Sequence, residues 1–197
     1  MRKIVAATGN AHKLQEIRAI LKGWEILSQH DVGYVGDVEE TGETFLENAA
    51  LKAWAVSKAT GLPALADDSG LCVRALSGDP GVHSARYASR DGSNASDEDN
   101  RKLLLKNMKD VGDRSAYFES AIVLMFPDGT QVTASGRSYG RILEEETGYN
   151  GFGYDCLFYS EELQKSFASA TEEEKNSVSH RGRALRQLVE KLSEMQA

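Results

Sequence analysis

A short apolar run that breaks at once into turn chemistry limits this chain more than any other feature. Lys3 to Ala7 is strand-length, Thr8-Gly9-Asn10 is a tight loop, and Leu14, Ile17, Ile20 and Leu21 then recur at helical spacing. A buried strand feeding an amphipathic helix packs in layers, which points to helices laid on a sheet. The pattern returns further on. Residues 24–35 hold a second strand and its exit, and a polar, acidic stretch runs from Gly36 to Glu43. Thr44-Phe45-Leu46-Glu47 has capping-box spacing and opens a helix to about Thr60, with Gly61 to close it and Pro63 beyond. Pro63 to Ala66 reads as a buried strand ending in Asp67-Asp68-Ser69-Gly70, and Leu71 to Leu76 as a further strand. Residues 88–97 are the most loop-like stretch and the best candidate for a mobile segment. Ser115 to Phe126 and Gln131 to Ser138 flank Pro127-Asp128-Gly129-Thr130, a hairpin signal. Helices are expected over about 97–109 and from Ser179 to Met195, and a strand from Cys156 to Tyr159. Strands and helices mix around one antiparallel hairpin, so the fold class is α/β or α+β with a mixed sheet.

Composition narrows the function classes. A length of 197 residues suits one domain, or two lobes sharing one core, and no linker interrupts it. With 23 basic against 30 acidic residues the chain carries a formal net charge of −7. That argues against duplex nucleic acid as a partner, which needs a basic face to displace counterions. An anionic small ligand in a local basic pocket stays open. The longest apolar run, Ala121 to Phe126, is strand-length, and the N-terminal run is too short for a signal peptide's core. No membrane partner is expected. Cys72 and Cys156 match no metal-ligand spacing and are too few for a disulfide framework, as in a reducing cytoplasm.

Four features carry chemistry. Helix N-termini favour acidic residues, yet the first helix opens with His12 and Lys13 and the last with His180 and Arg181, shortly after Lys175. One such helix is ordinarily solvated surface charge. Two, one of them beside Thr8-Gly9-Asn10, suggest an anion held by backbone N–H groups. Neither a P-loop nor a dinucleotide fingerprint is present. The second feature is Asp67-Asp68. Open α/β sheets present site residues at strand ends, and neighbours on a strand face opposite ways, so the two acids would divide their roles. A turn whose acids cap their own backbone is the alternative. Glu39 and Glu40 add oxygen donors from a glycine-flanked loop, and such a donor set suits Mg²⁺ with substrate phosphates. Glu43 and Glu47 are explained by the helix start. Third, Asn48 and Lys52 lie one turn apart beside an apolar stripe, where a lysine either snorkels to water or reaches a phosphate. Fourth, Gly151-Phe152-Gly153-Tyr154-Asp155 joins flexible backbone to an aromatic plane, either to stack a base or as a bulged strand with a core Phe.

Six motifs in order carry a resemblance. They are Thr8-Gly9-Asn10 with Lys13; Glu39-Glu40-Thr41-Gly42 with Phe45 and Asn48-Ala49; Ala66-Asp67-Asp68-Ser69-Gly70; Gly81 with Ser84-Ala85-Arg86-Tyr87; Gly151-Phe152-Gly153-Tyr154-Asp155; and Glu174-Lys175 with Ser179-His180-Arg181. Over essentially the whole chain this resembles the pyrophosphatases of deaminated purine nucleoside triphosphates, the inosine triphosphate pyrophosphatase or Ham1-like family. The resemblance implies one pyrophosphatase domain over residues 1–197, with an elongated mixed α/β sheet and two lobes around a cleft that holds the active site. It implies hydrolysis of ITP, dITP and XTP to the monophosphate and pyrophosphate with Mg²⁺, in a cytoplasmic homodimer that cleanses the nucleotide pool. By similarity Asp68 is the proton acceptor and a metal ligand, joined by Glu39 or Glu40, with Asp67 a further candidate ligand. Thr8, Gly9, Asn10, Lys13, Lys52, Ser69 and Lys175 would bind the triphosphate side, and Phe152, Gly153, Tyr154 and Asp155 with His180 and Arg181 the base.

The chemistry of the base agrees. Hypoxanthine and xanthine accept a hydrogen bond at position 6 where adenine donates, and sites built on such bonds discriminate by roughly 10⁴–10⁵. ATP should be the worst purine substrate and GTP the harder to refuse. A receiver domain is discounted because the first strand ends in Thr8-Gly9-Asn10 rather than an acid pair. A nucleotide-sensing module without turnover, and a pyrophosphatase for other modified nucleotides, remain as alternatives.

Overall fold

A computed structural model describes residues 2–195. In chain order the elements are β1 (Arg2–Ala6), α1 (Ala11–Ile20), β2 (Trp24–Ser28), α2 (Phe45–Thr60), β3 (Ala64–Val73), α3 (Asp97–Asn107), β4 (Ser115–Met125), β5 (Gln131–Ile142), β6 (Phe158–Ser160), β7 (Lys165–Ser166), α4 (Glu172–Val178) and α5 (His180–Glu194). The sheet has seven strands in the order β2-β1-β3-β4-β5-β6-β7. β1 pairs in parallel with β2 and with β3, while β6 is antiparallel to β5 and to β7. The mixed sheet and its helices are therefore as expected.

Local chemistry explains the boundaries. Asn10 caps α1 by accepting from the N–H groups of His12 and Lys13. α2 opens on the Thr44–Glu47 capping box and closes at Gly61 in the left-handed region. Two expectations are corrected. The strand expected to end at Asp67-Asp68 is one continuous ten-residue strand, β3, that runs through the acid pair to Val73, because both acids find buried partners instead of turning to water. The strand expected over Cys156–Tyr159 is a three-residue piece starting at Phe158. Sequence reading also passed over α4, although Thr171 and Glu174 form a second capping box.

The chain forms two compact units, one comprising residues up to Asp68 with Ser120–Gly136 and everything from Arg181 on, the other Ser69–Glu119 with Arg137–His180. The first is a three-layer sandwich. Ile4, Ala6, Leu65, Ile122 and Leu124 face Ile17 and Leu21 of the α1 region and Ala184, Leu185, Leu188 and Leu192 of α5. The alternate residues Val5, Ala7, Ala64, Ala66, Val123 and Met125 face Ala49, Ala53 and Val56 of α2. Strands covered on both faces read as near-continuous apolar runs, as these do. The second unit packs Leu71, Val73, Leu104, Met108, Phe118, Ile142, Leu157, Phe158 and Phe167 into one core.

Candidate active site

The strand parity of the first unit sends its two acids apart. Leu65 packs toward α1 and α5, so Asp67, two residues on, faces the same way; Ala66 packs toward α2, and so does Asp68. Toward α5, Asp67 is 1% exposed and accepts from Ser120 Oγ at 2.5 Å. It also pairs with Lys13 Nζ at 2.9 Å and with Arg181 Nη2 at 3.0 Å, and Arg181 pairs in turn with Glu16. Burial alone would raise the Asp67 carboxyl, but Arg181 and Lys13 outweigh it and hold the group well below the usual carboxylate range. Burial lowers the Lys13 ammonium, which Asp67 only partly opposes.

Toward α2 the arrangement is more open chemically. Lys52 Nζ donates to Asp68 Oδ1 at 2.7 Å and to Glu40 Oε1 at 2.8 Å. Burial, with the neighbouring Glu40 charge adding to it, raises the Asp68 carboxyl above its ordinary value although Lys52 and Lys13 pull the other way. Burial would lower the Lys52 ammonium, yet its two carboxylates raise it. Asp68 is thus a carboxylate poised to take a proton, with a cation beside it. Two hard oxygen donors converging on one cation also fit a Mg²⁺ ion, which takes one or two carboxylates and leaves its other positions to water and phosphate. Of the two loop glutamates, Glu40 reaches this cluster, while Glu39 is exposed. No group of three or more His, Cys, Asp or Glu among the described residues forms a closed metal cage.

In the second unit, Asp155 is the hub of the glycine-rich segment. Its Oδ2 accepts from Phe152 N at 2.9 Å and from Lys175 Nζ at 2.6 Å, and the Lys175 ammonium lies 4.9 Å from the Phe152 ring centroid. Phe152 is half-buried, whereas Tyr154 points into the core and donates to the Ser84 carbonyl at 2.7 Å. Gly153 is held at both ends of its backbone: Asp97 accepts from its N–H at 2.8 Å and Arg101 donates to its carbonyl at 3.0 Å. His180 is buried and stacks on Phe118 at 4.7 Å and 13°.

The Ham1 family model matches residues 4–191 of this chain. The chain belongs to the Ham1 family. A dITP/XTP pyrophosphatase of Mannheimia succiniciproducens is 48% identical over 196 residues, covering 96% of this chain and 98% of the relative. One from Streptomyces coelicolor is 44% identical over 201 residues, with 99% of each covered. The solved HAM1 protein of Coxiella burnetii superposes with a TM-score of 0.87 at 43% identity, covering 98% of this chain and all of the other.

Within this Ham1-family chain, the structure gathers Lys13, Asp67 and Arg181 into one buried network and Glu40, Lys52 and Asp68 into a second. It gathers Phe152, Asp155 and Lys175 into a third group. Thr8, Gly9 and Asn10 form the loop before α1, where Thr8 Oγ1 accepts from Asn10 N, and the Asn10 side chain occupies two of the first-turn N–H groups expected to meet an anion. Ser69 follows Asp68 on β3 and is half-buried. Sequence reasoning missed Glu16, Ser120, Asp97 and Arg101. Glu16 lies one turn after His12 on α1 and Ser120 follows Glu119 on β4, but neither position names a partner fifty or more residues away.

Proposed function

We propose that this chain hydrolyses dITP, ITP and XTP to the nucleoside monophosphate and pyrophosphate. The reading is supported by the dITP/XTP pyrophosphatase names of its relatives. The single observation that carries it is a buried Asp68 carboxylate, raised by burial and bound to Lys52 with Glu40. Asp68 accepts the proton of the water that attacks the α-phosphorus. Lys52 neutralises charge on the phosphate chain, and in the second unit Lys175 of α4 sets a cation beside Phe152. Asp68 and Glu40 would hold a Mg²⁺ ion, which would supply charge neutralisation and a more acidic water. Asp67, with its oxygens engaged by Ser120, Lys13 and Arg181, anchors β3 rather than the metal, and Arg181 serves first as its counter-ion. Phe152 offers the base a plane, and donors near it reward a 6-oxo purine and leave adenine unpaired. A homodimer and a cytoplasmic setting complete the reading. Sedimentation checks the first, and the two thiols agree with the second.

Product analysis tests it. With Mg²⁺, the chain is expected to release IMP and pyrophosphate from ITP, the corresponding products from XTP, a little from GTP and least from ATP. Asp68→Asn is expected to lower kcat by about 10²–10⁴-fold. Orthophosphate in place of pyrophosphate would move the attack to the γ-phosphorus, and binding of ITP without turnover would favour a sensing module.

A further inference from the structure

The acidic segment that delivers Glu40, residues 36–43, has no regular secondary structure, so its position depends on a few specific bonds. The cap of α2 supplies two of them: Glu47 Oε2 accepts from the N–H groups of Glu43 at 2.8 Å and Thr44 at 3.0 Å. A third lies outside any capping box. Asn48 Oδ1 accepts from Gly42 N at 2.8 Å. Asn48 is completely buried on α2, one turn before Lys52, and its Nδ2 is a buried donor with no partner among the described residues. The backbone of Gly42 lies so close that an added Cβ would sit 2.7 Å from Asn48 Oδ1 and 2.7 Å from Glu47 Cβ. Two residues before Gly42, the Glu40 carboxylate meets Lys52, whose ammonium also holds Asp68.

We infer that Asn48 is a positioning residue for the hydrolytic centre, its amide oxygen pinning the acidic segment at Gly42 so that the Glu40 carboxylate stands against Lys52 and Asp68. The residue type follows from the surroundings. An apolar side chain of the same size offers Gly42 no acceptor. An aspartate would keep the acceptor but add a negative charge one turn along α2 from the lysine that two carboxylates already share. An amide gives a neutral acceptor and leaves its own NH₂ without a partner. That is the kind of local cost tolerated where a precise geometry is needed. Because Asn48 and Lys52 share one helix face, anchor and cation move as one body, and the loop is referenced to the same frame as the lysine it serves.

This inference rests on the hydrolytic reading above, and its test separates the two. Asn48→Leu and Asn48→Asp are compared with the unaltered chain by hydrogen exchange of the 36–44 segment, by ITP hydrolysis and by thermal unfolding. Asn48→Leu is expected to speed exchange of that segment by about tenfold or more, the loss of one buried bond. It should lower kcat by about 100-fold, the cost of roughly 1 Å of misplacement, with KM for ITP little changed. Asn48→Asp keeps the acceptor and is expected to retain the slow exchange while losing activity to its added charge. Gly42→Ala disturbs the same contact from the other side and should resemble Asn48→Leu in both readouts. Unchanged exchange in Asn48→Leu, or fast exchange with full activity, overturns the inference. Full activity in Asp68→Asn overturns the hydrolytic reading instead and leaves the exchange result standing.

Discussion

At the scale of single residues, the decisive fact is that adjacent acids on one strand have opposite electrostatic fates. Asp67 sits among two cations and a hydroxyl and stays ionised, whereas Asp68 shares one cation with Glu40 and is pushed upward by burial. A carboxyl held below its unfolded value stabilises the fold above the unfolded pKa, about 4, and that contribution fades as pH falls through the folded value beneath it. Stability of the unaltered chain is therefore expected to drop steeply on acidification below about pH 4. Asp67→Asn should cost about 3–5 kcal/mol at pH 7, because Arg181 and Lys13 lose a buried partner, and should flatten that acid slope. Urea unfolding of both chains at a series of pH values checks this. Parallel acid slopes would mean that Asp67 does not carry the effect.

Among the elements, α3 has the least obvious role. It lies far in sequence from the glycine-rich segment, yet Asp97 and Arg101, one turn apart on it, take the N–H and the carbonyl of Gly153, and Arg101 is held in turn by Glu146 at 2.7 Å. If Phe152 carries the base, this clamp keeps the ring in place, while the Asp68 cluster does not depend on it. Arg101→Ala is accordingly expected to raise KM for ITP by about tenfold, the value of one charge-assisted bond, with kcat nearly unchanged. Steady-state kinetics decide, and a fall in kcat alone would place Arg101 elsewhere in the chemistry. Such elements also mark what could be read from sequence. The α2 capping box, the 127–130 hairpin and the opening strand–loop–helix were legible because each is a local signal. The continuity of β3 was not, since two aspartates and a serine look like a turn until their buried partners are known. Opposite faces for Asp67 and Asp68 followed from strand geometry alone. That Asp67 meets Ser120 and Arg181 did not, because those residues enter from β4 and α5, and only the packed layers show it.

For the molecule as a whole, the question is whether the metal belongs to the fold or only to the reaction. Each unit has an apolar core of its own, the first in two layers and the second around Phe118, Phe158 and Phe167. None of these cores includes the Asp68 cluster. The two carboxylates that suit a Mg²⁺ ion already share the Lys52 ammonium, so removing the ion leaves no uncompensated pair of buried charges. A chelator is thus expected to abolish hydrolysis while the chain stays folded. Binding of Mg²⁺ at a few times its dissociation constant adds only about 1 kcal/mol by mass action. For a chain of this length that is a rise of roughly 2–4 °C in Tm. Circular dichroism melts with EDTA and with added Mg²⁺, run beside pyrophosphate release, check both halves. Loss of the folded signal on chelation would make the ion structural, as in proteins that fold only around their metal, and would require a closed ligand cage that Glu40 and Asp68 do not make by themselves.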